Sequence, residues 1–261
     1  MLKKRLIPIL LLKNGLLVRS EDFRIHQIIG NPINEVQRFN EWNVDELIYL
    51  DISREESQLA QREDHKIKLS SNPLEILGAV SKTCFMPLTW GGRIRSIEDI
   101  KARIRGGADK VTLNTGALEN PALITEGARL YGRQAMVLSI DARLEGKEFR
   151  VYSHGGKNPA GRDLVSWARE GELCGAGEIL LQSIDRDGKG TGYDLDMIHA
   201  VSFAVSIPVI ACSGVGRFEH YAAGIEAGAS AVAAANIWHF KELSDRLGKK
   251  ALQKAGVDVR I

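Results

Sequence analysis

The chain is poor in the features that would place it outside the cell or on a polymer. Its three cysteines, Cys84, Cys174 and Cys212, are odd in number, far apart and set among apolar residues. That excludes a disulfide framework and suits a reduced, cytoplasmic protein with small thiols in its core. No Cys or His pair has metal-ligand spacing, and no cofactor motif stands out, so neither a metal nor a cofactor is expected. Charge of one sign is never concentrated: 35 Lys and Arg balance 33 Asp and Glu without a long run, which speaks against nucleic acid as a partner. Long apolar runs are missing too, so no membrane span is expected. Met1-Leu2-Lys3-Lys4-Arg5 followed by Leu6 to Leu12 mimics a secretory leader, but charge returns at Lys13 without a small-residue cleavage site. The stretch reads as a first buried strand.

What is present is alternation. With 44% hydrophobic residues in 261, the chain can bury a full core. Apolar strand patterns fall near 5–12, 45–51, 84–90, 109–114, 134–141, 178–183, 207–212 and 230–235. Helical patterns fall between them, near 32–43, 72–82, 96–106, 120–131, 162–174, 194–204, 218–227 and 241–255. Asn31-Pro32, Asn72-Pro73, Ser96 with Asp99, and Asn120-Pro121 supply helix starts. Eight strand-helix pairs without a linker predict one (β/α)8 TIM barrel over residues 1–261, with function at the C-terminal ends of the strands.

The pattern also repeats. Pro208 to Phe240 reads as strand, glycine loop, helix and small-residue strand, and a shift of about 121 residues lays Pro87, Glu98, Gly107-Ala108 and Val111 on Pro208, Glu219, Gly228-Ala229 and Val232. Asp45-Glu46-Leu47-Ile48 is echoed by Gly177-Glu178-Ile179-Leu180. Two similar halves, each with a glycine loop suited to a phosphate, predict a guest with a phosphate at each end. Residues 53–70 form a long charged loop, read as solvated, with a lid or docking surface as the other readings. Residues 146–161 alternate around Phe149, Val151 and Tyr152 and predict a hairpin after the fifth strand. His154 and His239 are candidate ligand contacts.

Residues 91–96 (Gly-Gly-Arg-Ile-Arg-Ser), 107–115 (Gly-Ala-Asp-Lys-Val-Thr-Leu-Asn-Thr), 175–188 (Gly-Ala-Gly-Glu-Ile-Leu-Leu-Gln-Ser-Ile-Asp-Arg-Asp-Gly), 192–194 (Gly-Tyr-Asp) and the closing repeat resemble, in order, the cyclase (synthase) subunit of imidazole glycerol phosphate synthase. The resemblance implies a half-barrel repeat, a bisphosphate site on the upper face, and a glutaminase beneath the barrel whose ammonia rises through the core. It assigns phosphate contacts to Asn114, Thr115, Asp187, Gly188, Gly214, Ala235 and Asn236, the last replacing a Ser. Arg93, in place of a Gly, and Arg19, in place of a Lys, become possible anion contacts.

The family cyclises with two aspartates, one in each half. Asp141 is present at the end of strand five; its counterpart is Leu11, which cannot move a proton. By the same resemblance Arg5, Glu46, Lys110 and Glu178 form a charged gate for ammonia, with Asp109 facing the glutaminase. A gate kept while one aspartate is lost resembles the branch of the family found with enzymes that amidate sugars of bacterial surface polysaccharide (lipopolysaccharide O-antigen). That branch implies a chain that delivers ammonia to an acceptor enzyme on the upper face, with its own cyclase activity lost or weak. The alternatives are an active cyclase (lyase) of histidine biosynthesis, with Asp51 or a water-mediated group standing in for the missing acid, and a related phosphoribosyl barrel isomerase.

Overall fold

The computed structural model describes residues 3–42, 44–53 and 72–260. Twelve strands run in chain order: β1 (Arg5–Lys13), β2 (Leu16–Glu21), β3 (Ile25–Gly30), β4 (Leu47–Asp51), β5 (Leu88–Gly91), β6 (Lys110–Leu113), β7 (Met136–Glu145), β8 (Glu148–Ser153), β9 (Asn158–Asp163), β10 (Glu178–Ser183), β11 (Val209–Cys212) and β12 (Ala231–Ala234). Eight of them pair in parallel in the ring order β1, β4, β5, β6, β7, β10, β11, β12, and β12 returns to β1, so the barrel is closed. The helices α1 (Pro32–Trp42), α2 (Pro73–Ser81), α3 (Ile97–Arg105), α5 (Ala122–Tyr131), α6 (Leu164–Cys174), α7 (Leu195–Ser202), α8 (Glu219–Glu226) and α10 (Ser244–Lys254) surround it. The expected (β/α)8 architecture is therefore the one found. No helix among the described residues is long and apolar enough to cross a membrane.

Period-two alternation sorts each barrel strand into two environments. One face packs beneath the helices, where Tyr49, Trp90, Leu138 and Trp167 are shielded from solvent. The other faces the bore, where Ile7, Ile9, Leu11, Ile48, Leu50, Val137, Leu180 and Ile210 form a separate apolar cluster. Each fully buried aliphatic side chain contributes roughly 1.5–3 kcal/mol. The bore is therefore a packed layer that holds the barrel together.

Local signals fix most helix starts. The Asn72 side chain accepts from the Leu74 amide at 3.0 Å, and Ser96 with Asp99 forms a reciprocal capping box on α3. Asn120 does not cap α5: Pro121 occupies that position without a side-chain cap, because a short helix, α4 (Thr115–Glu119), ends at Asn120. The helix predicted at 241–255 is present as α10, starting three residues later; a four-residue turn that was not predicted, α9 (Ile237–Phe240), precedes it, with Leu243 at φ 55° between the two.

The repeat is visible in the elements. β5 and β6 recur about 121 residues later as β11 and β12, and α4 recurs as α9. The hairpin expected at 146–161 is present as an extension of β7 through β8 and β9. Its counterpart, β2 with β3, follows β1 and was absent from the sequence reading. Cys212 is buried, whereas Cys84 and Cys174 are half-buried and lie nearer the surface than core thiols would. Apart from Ser53, the 53–70 loop lies outside the described residues.

Candidate functional site

A cavity of about 950 Å³ opens at the C-terminal ends of the barrel strands. Its floor includes Ile9, Leu50, Thr112 and Ser139; its walls include Leu11, Asp141, Gln182 and Cys212; and its rim takes in the loops at Gly92, Asn114, Gly188 and Gly214. Of the residues singled out by sequence, Leu11, Arg19, Asp51, Arg93, Asn114, Thr115, Asp141, His154, Asp187, Gly188, Gly214, Ala235 and Asn236 all line it. His239 does not. It is held at the α9 turn, where burial and then the nearby Arg38 charge push its imidazole down to about 4, so it packs as a neutral ring.

Asp141 lies midway along β7, where the strand passes from the barrel into the hairpin, and is 5% exposed. Burial pushes its carboxyl up to about 7; the Gln182 hydrogen bond opposes this and the Asp187 charge adds to it. Gln182, its register partner on β10, donates through Nε2 to Asp141 Oδ1 at 2.8 Å and to Ser139 Oγ at 3.2 Å. An amide clamp of this kind fixes the carboxyl against rotation. Gln182 lies within the 175–188 motif, which gives no sign of this contact. Four strands away either way around the ring, β1 places Leu11 on the facing wall, in apolar contact with its cross-strand neighbours Val18 and Leu50. One wall can hold or release a proton near neutrality; the facing one is hydrocarbon. Asp51 is buried at the edge of the same cavity, and its Oδ1 accepts from the Ser53 amide at 3.0 Å.

The rim loops demand glycine. A Cβ on Gly92, at φ 98°, would lie 2.0 Å from the Asp51 carbonyl oxygen, and one on Gly214, at φ 94°, would lie 2.2 Å from that of Gly192. Beside the first loop, the Thr115 hydroxyl accepts from the His154 amide at 2.9 Å, and the enclosed Asn114 amide faces the Asp141 carboxyl and helps to hold its pKa down. On the opposite rim the polar groups are occupied by the β2–β3 hairpin. Asp187 Oδ2 accepts from Ser20 Oγ at 2.7 Å and from the Phe23 amide at 3.0 Å. Asn236 Nδ2 donates to the Ser20 carbonyl at 2.9 Å. Burial, less the help of the Ser20 hydrogen bond, raises the Asp187 carboxyl above its ordinary range. Arg19 has its guanidinium 5.8 Å from the Phe240 ring centroid.

At the other end of the barrel, Arg5, Glu46, Lys110 and Glu178 meet in a closed ring of ion pairs. Arg5 bonds both Glu46, at 2.6 Å, and Glu178. Lys110 Nζ reaches Glu46 and Glu178, each at 3.1 Å. Burial penalises the Arg5 guanidinium, yet Glu178 and then Glu46 outweigh it and raise its pKa. Above the ring, the layer of Ile7, Ile48, Val137, Leu180 and Ile210 separates it from the cavity. Asp109 is exposed beside the ring and accepts from the Leu88 amide at 2.8 Å.

The family model described as histidine biosynthesis protein matches residues 5–244. A protein of Exiguobacterium sibiricum is 43% identical over 260 residues and one of Hyphomonas neptunium 44% identical over 261, each aligned over essentially both full chains. A third, from Gluconacetobacter diazotrophicus, is 39% identical over all of this chain and 97% of its own. All three carry the name imidazole glycerol phosphate synthase subunit HisF. A family match across nearly the whole sequence, joined to end-to-end identity with three such subunits, establishes that the chain belongs to the histidine biosynthesis protein family as a HisF-type cyclase-subunit homologue.

Proposed function

We propose that this chain is the barrel subunit of a glutamine amidotransferase, passing ammonia from a glutaminase docked at its floor to the upper face, with weak or no cyclase activity of its own. The observation that carries the reading is the pairing of an intact four-membered charged ring below with Leu11 facing Asp141 above. A ring of two cations and two anions serves a small neutral passenger: the pairs can part and re-form without leaving an uncompensated charge. The layer above it is lined by aliphatic side chains, which take uncharged ammonia far more readily than ammonium. Cyclisation, by contrast, needs proton donor and acceptor on opposite sides of its substrate, and one side here is alkyl. In this reading Asp109 lies in the glutaminase interface. The ammonia acceptor is a sugar-amidating enzyme of surface polysaccharide synthesis docked on the upper face, and the rim residues Asn114, Thr115, Asp187, Gly188, Gly214, Ala235 and Asn236 cradle a phosphorylated molecule.

A working cyclase is the second reading. It is favoured by Asp141, whose carboxyl, pushed up to about 7, is suited to exchange a proton near neutral pH. The two diverge in one assay. Given the phosphoribulosyl substrate of the HisF-type reaction and excess ammonium, the purified chain is expected to turn over poorly. Leu11→Asp is expected to raise the rate by about 10²-fold or more, the usual contribution of one general acid or base. Turnover by the unaltered chain matching an ordinary HisF subunit refutes the delivery reading and establishes the cyclase.

A further inference from the structure

Each half-barrel carries a hairpin on its upper face, and each hairpin leaves its outer strand with an open edge among the described residues: β3 pairs with β2 alone and β9 with β8 alone. The two edges differ in chemistry. β9 reads Asn-Pro-Ala-Gly-Arg-Asp, so Pro159 withholds a donor while Arg162 and Asp163 bring charge, the ordinary means by which an edge keeps another strand away. β3 reads Ile-His-Gln-Ile-Ile-Gly. It holds no proline and no Lys, Arg, Asp or Glu, and it turns Ile25 and Ile28 to solvent, each more than half exposed. Among the described residues its backbone makes no backbone bond outside the β2 ladder.

The sequence of β3 also suits a copy of itself. A twofold axis normal to the ribbon pairs the strand with its own image in antiparallel register, and centring that axis on Gln27 sets Ile25 against Ile29 and His26 against Ile28. Gln27 then meets Gln27. A carboxamide carries both donors and an acceptor, so two of them satisfy each other across the axis, and in the single chain this one is exposed with no side-chain hydrogen bond among the described residues. The flanking charge along the chain, Arg24, falls opposite Gly30, so like charges do not meet. A two-stranded ribbon is marginal by itself, and self-pairing makes it four-stranded while drawing isoleucine surface out of water.

We infer that the outer edge of β3 is a docking strand for a second copy of this chain, the two hairpins joining into one antiparallel four-stranded ribbon about an axis through Gln27. The interface is isologous, so one substitution acts on both of its sides. Neither the bore nor the charged ring enters it, and it stands apart from the delivery reading.

Sedimentation velocity of the full chain over roughly 1 to 100 μM tests this, with hydrogen exchange on the same samples. The expected result is monomer and dimer in equilibrium in the micromolar range, with amide exchange in β3 slowing as dimer forms while β9 stays unchanged. Gln27→Glu sets two carboxylates face to face and Gln27→Lys two ammonium groups. Each is expected to weaken the dimer at least about tenfold, with the melting temperature unchanged because the side chain is exposed. Mixing the two variants is expected to restore association to within about threefold of the parent, as a mixed dimer. A chain that stays monomeric overturns the proposal: fast exchange in β3 then leaves the edge to an unlike partner, and slow exchange shows it covered within the chain. A dimer that both variants form as readily as the parent joins by another face and overturns it equally. Weakened single variants without rescue on mixing place Gln27 off the axis, and the proposal falls with it.

Discussion

Asp141 shows how a single burial event turns into pH dependence. Its carboxyl titrates near 3.8 in the open chain and is pushed up to about 7 in the fold, so the native state holds a proton that the unfolded state has already lost. The stabilising protonation is complete below the unfolded value and is lost as pH rises from about 4 through about 7. Asp141→Asn keeps an oxygen for Gln182 and removes the charge. It is expected to flatten this fall and to exceed the parent chain in stability at pH 8 by about 2–4 kcal/mol. Urea unfolding midpoints at pH 5 and pH 8 measure it; a variant that tracks the parent at both values refutes the elevated carboxyl. The place of Asp141 near the upper rim of the barrel was legible from its Ser-Ile-Asp motif, although the strand expected to end there runs on to Glu145. Gln182 was not, because its contact spans 41 residues and exists only once β7 and β10 are neighbours. Leu11 could be read at once as a lost acid, yet its place opposite Asp141 comes from ring closure.

At the level of elements, the β2–β3 hairpin is held by few and specific bonds. Its outer strand exposes Ile25 (56%) and Ile28 (51%), so the grip comes from Asp187 and Asn236 on Ser20, and from Lys189 Nζ on Asp22 at 2.7 Å. Removing two hydrogen bonds to a buried carboxylate costs roughly 1.5–3 kcal/mol. Asp187→Ala is expected to speed amide exchange in β2 and β3 by about 10- to 100-fold while leaving β8 and β9 unaffected, as read by hydrogen-exchange mass spectrometry. Equal protection in parent and variant shows that the hairpin is held by its pairing with β1 alone. The hairpin had been announced by the chain in two ways. Asn14-Gly15 is the strongest short hairpin signal, and both residues are left-handed, at φ 52° and 80°. Carrying the 45–48 and 177–180 echo backwards would also have laid the 146–161 hairpin over the stretch before α1. The α9 turn had no comparable signal, since four residues are too few for a helical period to show.

For the molecule as a whole, the floor ring is the test of what the bore is for. Glu46→Ala leaves Arg5 and Lys110 sharing Glu178, and the excess positive charge in a half-buried site is expected to cost about 2–4 kcal/mol. With the glutaminase subunit present, the same variant is expected to disturb glutamine-dependent product formation while sparing the ammonium-dependent route; equal losses on both routes make the ring a structural plug. Strand count, order and the two-half pattern could be read from the chain because a parallel barrel writes each strand as a compact apolar run bracketed by helix signals. The polarity of its two rims could not, because it depends on which loop folds over which half. There the clasp is reciprocal: Ser20, from the first half, is gripped by Asp187 and Asn236 of the second, while the His154 amide of the second is gripped by Thr115 of the first. Each half thus wears the other's buckle, and neither rim can be loosened by a guest without slackening the strap that belongs to its twin.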